Sequence, residues 1–201
     1  MRTAILGLVA VGLLASGSVQ AAVVFSDNFD GYGSTTILNA ADTVFGGNWV
    51  TTDGTVDYIA PAGSFSSLCR GTGGCVDLDG SSSNAGIFST ATTFGPGAYT
   101  LAMTLFGSGR GSTESVTITL GNWSVTLPSI GSGDDASASF LVSTTGGVLS
   151  FSNAGGDNVG AILSSVELST DGPSPVPEPG TLILLGLGLL GLGFVLRRSI
   201  K

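Results

Sequence analysis

Residues 99–127 read YTLAMTLFGSGRGSTESVTITLGNWSVTL. Tyr99, Leu101, Met103 and Leu105 fall on one side of an extended chain, with Thr100, Ala102 and Thr104 on the other. After the turn signal Gly107-Ser108-Gly109 the pattern resumes. Val116, Ile118 and Leu120 alternate with Thr117 and Thr119, and Trp123, Val125 and Leu127 with Ser124 and Thr126. This period of two marks half-buried strands with one wet face. Downstream, Phe140 with Val142, Leu149 with Phe151, and Val166 with Leu168 repeat it. Gly95-Pro96-Gly97, Ser132-Gly133-Asp134 and Gly146-Gly147 punctuate it. Nothing between 22 and 180 holds a helical period. The pattern predicts nine to eleven strands in an all-β, antiparallel β-sandwich of jelly-roll type over residues 22–170. No internal repeat supports a β-helix instead.

The two ends differ from this middle. Arg2 precedes an apolar run from Ala4 to Leu14 and then a small-residue stretch ending Val19-Gln20-Ala21. That is the three-part layout of a secretory signal peptide, residues 1–21, with an apolar run too short for an ordinary anchor. At the other end, residues 171–180 form a linker with prolines at 173, 175, 177 and 179, which keep it extended and delay helix entry. Residues 181–196, TLILLGLGLLGLGFVL, carry no charge and read as a transmembrane helix. At 1.5 Å per residue that helix covers about 24 Å, so a hydrocarbon core of ~30 Å requires flanking groups or local thinning. The basic tail 197–201, with Arg197, Arg198 and Lys201, acts as stop-transfer and stays cytoplasmic, placing the middle of the chain outside.

Val176-Pro177-Glu178-Pro179, the apolar helix and Arg197-Arg198, in that order, resemble the PEP-CTERM sorting signal. The resemblance implies a Gram-negative host that makes exopolysaccharide. It further implies processing by exosortase near Pro177-Glu178-Pro179, an inner-membrane intermediate with transient membrane insertion, and then delivery to the cell surface or extracellular matrix.

Composition restricts the chemistry. Residues 22–179 hold all fourteen acidic residues but only two basic ones, Arg70 and Arg110, a formal charge of −12. Nucleic acid is therefore excluded as a partner, because binding it needs the opposite charge. The chain has no histidine, and its one lysine is Lys201. Histidine-based nucleophile systems, histidine-ligated zinc and Schiff-base chemistry are excluded with them. Only carboxylate chemistry remains for an enzyme, such as Glu114 with an aspartate set ~5 to ~9.5 Å apart, and nothing singles out a pair. The chain is expected to be non-enzymatic. Cys69 and Cys75 enclose a glycine-rich loop, and an even count in an exported chain favours a disulfide that pins it, two reduced thiols being the alternative.

Phe25-Ser-Asp-Asn-Phe-Asp-Gly31, Gly54-Thr-Val-Asp-Tyr58, Cys75-Val-Asp-Leu-Asp-Gly80, Gly95-Pro-Gly-Ala-Tyr-Thr-Leu101 and Asp157-Asn-Val-Gly-Ala-Ile-Leu163 look like a recurrent PEP-CTERM ectodomain. That type is similar to galactose-binding-like jelly rolls, which many carbohydrate-binding modules share. Such modules often end in Asp-x-Val-x-Leu, whose aspartate helps hold a structural calcium. Here the stretch is Ser164-Ser165-Val166-Glu167-Leu168, without that aspartate.

Three acidic clusters stand out: Asp27-Asn28 with Asp30, Asp77 with Asp79, and Asp134-Asp135. Asp27 and Asp30 are the candidate contributors to a structural calcium, with turn aspartates as the plainer reading. Asp77 and Asp79 share one strand face and repel unless a cation or turn amides receive them. Trp49 and Trp123, each preceded by an asparagine, are candidate carbohydrate platforms, although tryptophans in sandwiches more often fill the core. The leading expectation is a surface protein associating with exopolysaccharide. A structural or adhesive matrix protein that binds protein partners or itself is the alternative, and a small carboxylate glycosidase a remote one.

Overall fold

The computed structural model describes residues 21–170, apart from 41 and 83. The signal segment, the linker with Val176–Pro179, the apolar helix and the basic tail lie outside the described residues. Among those described, no helix is long and apolar enough to cross a membrane.

Thirteen strands run through the described residues: β1 Ala22–Asp27, β2 Thr36–Asn39, β3 Thr43–Val44, β4 Trp49–Thr52, β5 Thr55–Ile59, β6 Cys75–Asp77 and β7 Ile87–Thr90. They continue as β8 Gly97–Phe106, β9 Thr113–Leu120, β10 Trp123–Gly131, β11 Ala138–Thr144, β12 Leu149–Asn153 and β13 Ile162–Thr170. One sheet has the order β11-β8-β13-β6-β5-β2, with β1 also on β13; the other has the order β10-β9-β12-β7-β4-β3. All the strand pairings are antiparallel. The two-sheet antiparallel sandwich agrees with the period-two pattern. The expected nine to eleven strands fall short because β3 and β6, of two and three residues, are too short to show any period.

Burial follows the alternation where strands are long. Tyr99, Leu101, Met103 and Leu105 of β8 and Val116, Ile118 and Leu120 of β9 are all buried in the space between the sheets. On β10, at the edge of its sheet, Trp123, Val125 and Leu127 pack against this core while staying partly exposed. Strand β13 organises the first sheet. It pairs with β8 along one edge, and with β6 through Ile162 and Leu163 and then β1 from Val166 to Thr170 along the other.

The centre of the core is aromatic. Trp49 on β4 is fully buried and stacks on Phe88 of β7, ring centroids 4.3 Å apart and planes 6° from parallel. Phe25 and Phe29 meet Trp49 at 5.3 and 5.7 Å, and Phe29 also meets Phe45 at 5.7 Å. The indole N–H of Trp49 donates to the buried carboxylate of Asp27 at 2.9 Å, joining a strand of one sheet to a strand of the other. Trp49→Phe keeps a ring in place but strips the carboxylate of a charge-assisted donor and leaves a gap. We expect a loss of roughly 2 to 4 kcal/mol in urea unfolding, and a loss below ~1 kcal/mol would show that the bond contributes little.

Candidate functional site

On the outer face of the β1-containing sheet, away from the inter-sheet core, a row of residues crosses five strands in register. Ile37 of β2 lies opposite Asp57 of β5, Asp57 opposite Asp77 of β6, Asp77 opposite Ile162 of β13, and Ile162 opposite Phe106 of β8. Both faces of this part of the sheet therefore carry apolar residues, and the outer one needs a cover. The connection between β5 and β6 supplies it. Ile59, Cys69, Cys75 and Ile162 form a second small buried cluster with Leu68 against it. Cys69 and Cys75 are disulfide-bonded, with Cα atoms 5.5 Å apart, which closes the loop at its exit into β6.

The same connection is held at its start. The Thr35 hydroxyl accepts from the Ala60 N–H at 3.0 Å and donates to the Ser64 carbonyl at 3.4 Å. Phe65 follows, with φ of 70°, and caps the 3-10 turn Ser66–Leu68. A left-handed phenylalanine is strained, and here its side chain is 68% exposed, so burial offers no compensation at this position.

Between this loop and the sheet lies a pocket of about 250 Å³. Ile37, Ile59, Phe65 and Leu68 give it an apolar wall; Asp57, Asp77, Ser81 and Arg110 give it a polar side, with Thr35 and Thr36 at the rim. Ser81 donates to Asp57 through its backbone N–H and through its hydroxyl. Arg110, from the β8–β9 loop, pairs with the Asp77 carboxylate and donates to the Asn158 carbonyl at 3.0 Å. Asp77 also accepts from the Gly160 and Asp79 N–H groups, at 2.9 and 3.2 Å. Burial pushes the Asp77 carboxyl up from an ordinary 3.8 to about 7, with Asp57 adding to the rise, while Arg110 and the Asp79 N–H hold it down.

The residues singled out from the sequence distribute differently. Asp27 points inward and accepts from the Phe29 N–H, Trp49 and the Tyr32 hydroxyl at 2.8, 2.9 and 3.2 Å. Asp30 instead accepts from the Asn28 amide at 2.8 Å and the Gly74 N–H at 2.9 Å. Each of the two carboxylates is received by donors of the chain itself, and no group of three or more acidic or cysteine side chains among the described residues is arranged to hold a metal ion. Trp49 is a correction: with no exposed surface it offers no platform, because its ring completes the aromatic core. Trp123 is partly buried against Phe140, ring centroids 5.8 Å apart. Asp77 and Asp79 are received by turn amides and Arg110, Asp79 by the N–H groups of Gly156 and Asp157. Glu114 is buried and accepts from the Asn153 amide at 2.9 Å.

Sequence reasoning passed over Phe65, Asp57, Ser81 and Arg110 as a group. Two signals were present: Arg110 is one of two arginines between the end segments, and Phe65 is a large apolar residue in a run of small ones.

The raised Asp77 carboxyl makes stability depend on pH with a defined sign. Between about pH 4 and 7 the folded chain keeps a proton that the unfolded chain has released, so this contribution falls as pH rises through that window and is level above it. In urea unfolding across pH 4 to 8, the native chain should lose more stability over the window than Asp77→Asn does. Parallel profiles would reject the assignment.

The chain resembles part of the exo-β-1,3-galactanase of Phanerochaete chrysosporium, solved with β-1,3-galactotriose, with 16% identity and a TM-score of 0.37; 68% of this chain is covered but only 29% of the galactanase. Against the C-terminal CBM6 of a marine laminarinase from Zobellia galactanivorans, identity is 11% and the TM-score 0.38, covering 68% of this chain and all of that one. A carbohydrate binding module from the Cellvibrio mixtus lichenase 5A, solved with cellotriose, gives 12% and 0.33 over 67% and 96% of the two chains. No curated protein matches in sequence. Residues 175–199 match the PEP-CTERM protein-sorting motif, so the chain ends in the signal of an exported protein sorted to the surface of Gram-negative cells.

Proposed function

We propose that this is a non-enzymatic cell-surface or matrix protein, released from its membrane intermediate by exosortase, that associates with exopolysaccharide through the pocket beneath the Cys69–Cys75 loop. The observation that carries the reading is Phe65: a strained, exposed aromatic held at the mouth of a pocket with polar groups on its other side. Sugar rings have apolar faces and hydroxyl edges. An aromatic face for the ring with Asp57, Ser81 and Arg110 for the hydroxyls is the complement such a ligand needs. The volume of about 250 Å³ is enough for one sugar unit of a longer chain rather than a long oligosaccharide. The sorting motif supports the setting, since it directs the chain to the place where such polymers are found.

Binding of the purified full chain to the producing cell's own exopolysaccharide tests this. It should be saturable, weakened about tenfold or more by Phe65→Ala and little changed by Trp123→Ala. Absence of saturable binding would leave the structural matrix protein as the better account. For the sorting half, replacing Pro177, Glu178 and Pro179 by alanine should leave the chain in the inner-membrane fraction. Unchanged release of that variant would remove exosortase from the proposal.

A further inference from the structure

The pocket's charges are unevenly shared. Asp57 and Asp77 lie directly opposite one another across β5 and β6, and both reach it. A single guanidinium, that of Arg110, faces them, and it is engaged with Asp77 and the Asn158 carbonyl. Asp57 has no cation of its own among the described residues: both its recorded donors belong to Ser81. The other arginine of this region, Arg70, donates to the Gly133 carbonyl and lies over the Phe106 ring, 4.8 Å from its centroid. Above about pH 7, with both carboxylates ionised and one guanidinium, the site has a formal charge of −1. The described residues carry twelve acids against two bases, so no long-range field from them offsets that sign.

A carboxylate has about four lone-pair positions, of which Ser81 takes two on Asp57. The remainder suit a donor that carries positive charge, because a charge-assisted bond is roughly twice as strong as a neutral one. A sugar bearing a carboxylate or sulfate would instead face Asp57 with like charge.

We propose that the pocket selects by charge, taking amino sugars with a free ammonium group over their N-acetylated counterparts and rejecting uronates, with Asp57 as the residue that reads the ammonium. This deepens the carbohydrate reading and rests on it. Monosaccharides make the cleaner test, since a polycation would also bind the acidic surface at large. With the full chain at low salt and pH 7.5, glucosamine should bind about tenfold more tightly than N-acetylglucosamine, and glucuronate should not bind measurably.

Asp57→Asn should bring the first two within about threefold of each other while N-acetylglucosamine keeps its affinity. Glu167→Gln, the same loss of charge on an exposed position of β13, should leave the tenfold preference intact. Equal binding of all three sugars, or equal loss of preference in both variants, would overturn charge selection while leaving carbohydrate binding standing. If Asp57→Asn fails to fold, the comparison of the three sugars on the native chain decides alone. No binding of any of them, in a chain that also ignores exopolysaccharide, would overturn both readings.

Discussion

The sandwich depends on a buried carboxylate placed where its two sheets meet. Asp27 ends β1 in one sheet and accepts the indole N–H of Trp49 from the other, together with the Phe29 N–H and the Tyr32 hydroxyl. A carboxylate removed from water is costly unless donors replace the water it lost, and these three do. Because the donors come from separate segments, the bond settles more than its own geometry. It fixes the depth of the Trp49 ring, on which Phe25, Phe29 and Phe88 then pack, and it sets where the chain leaves β1. Phe29 and Phe45 adopt left-handed backbone around this point, and the burial of both rings in the core offsets the strain.

A second constraint acts on the far side of the same sheet. A strand buried on one face can leave its other face polar, but Ile37, Ile59, Ile162 and Phe106 put apolar surface on the outer side as well. The β5–β6 connection answers by folding over part of it, tied at one end by Thr35 and at the other by the disulfide. It does not cover everything. The uncovered remainder, bounded by Phe65 and the Asp57–Asp77 pair, is the pocket, so the candidate site follows from the same packing problem that produced the loop.

The acidic character of the chain and the position of its few arginines belong to the same picture. Between residues 22 and 179, fourteen acids and two arginines would leave many carboxylates unpaired, and the structure receives the buried ones mainly with backbone N–H groups. Backbone donors neutralise no charge, and burial raises Asp77 even though the Arg110 guanidinium joins two backbone N–H groups as its three partners. At the pocket one salt bridge, Arg110 to Asp77, is set against two carboxylates, which leaves Asp57 without a cation among the described residues.

What was legible in the sequence is what depends on local period and on ordered short motifs. Alternation along β8, β9 and β12 displays the sandwich and names its buried face, because neighbouring side chains on a strand must point opposite ways. The sorting signal is legible for a similar reason, being read as a linear order of proline motif, apolar run and basic end. The site was not legible. Phe65, Asp57, Ser81 and Arg110 come from three loops and one strand, and only the register Asp57 to Asp77 to Ile162 brings their positions together. Trp49 shows the limit from the other side: its sequence context fits a sugar platform and a core residue equally well. Tertiary structure decided for the core, because a buried carboxylate more than twenty residues away needed its N–H.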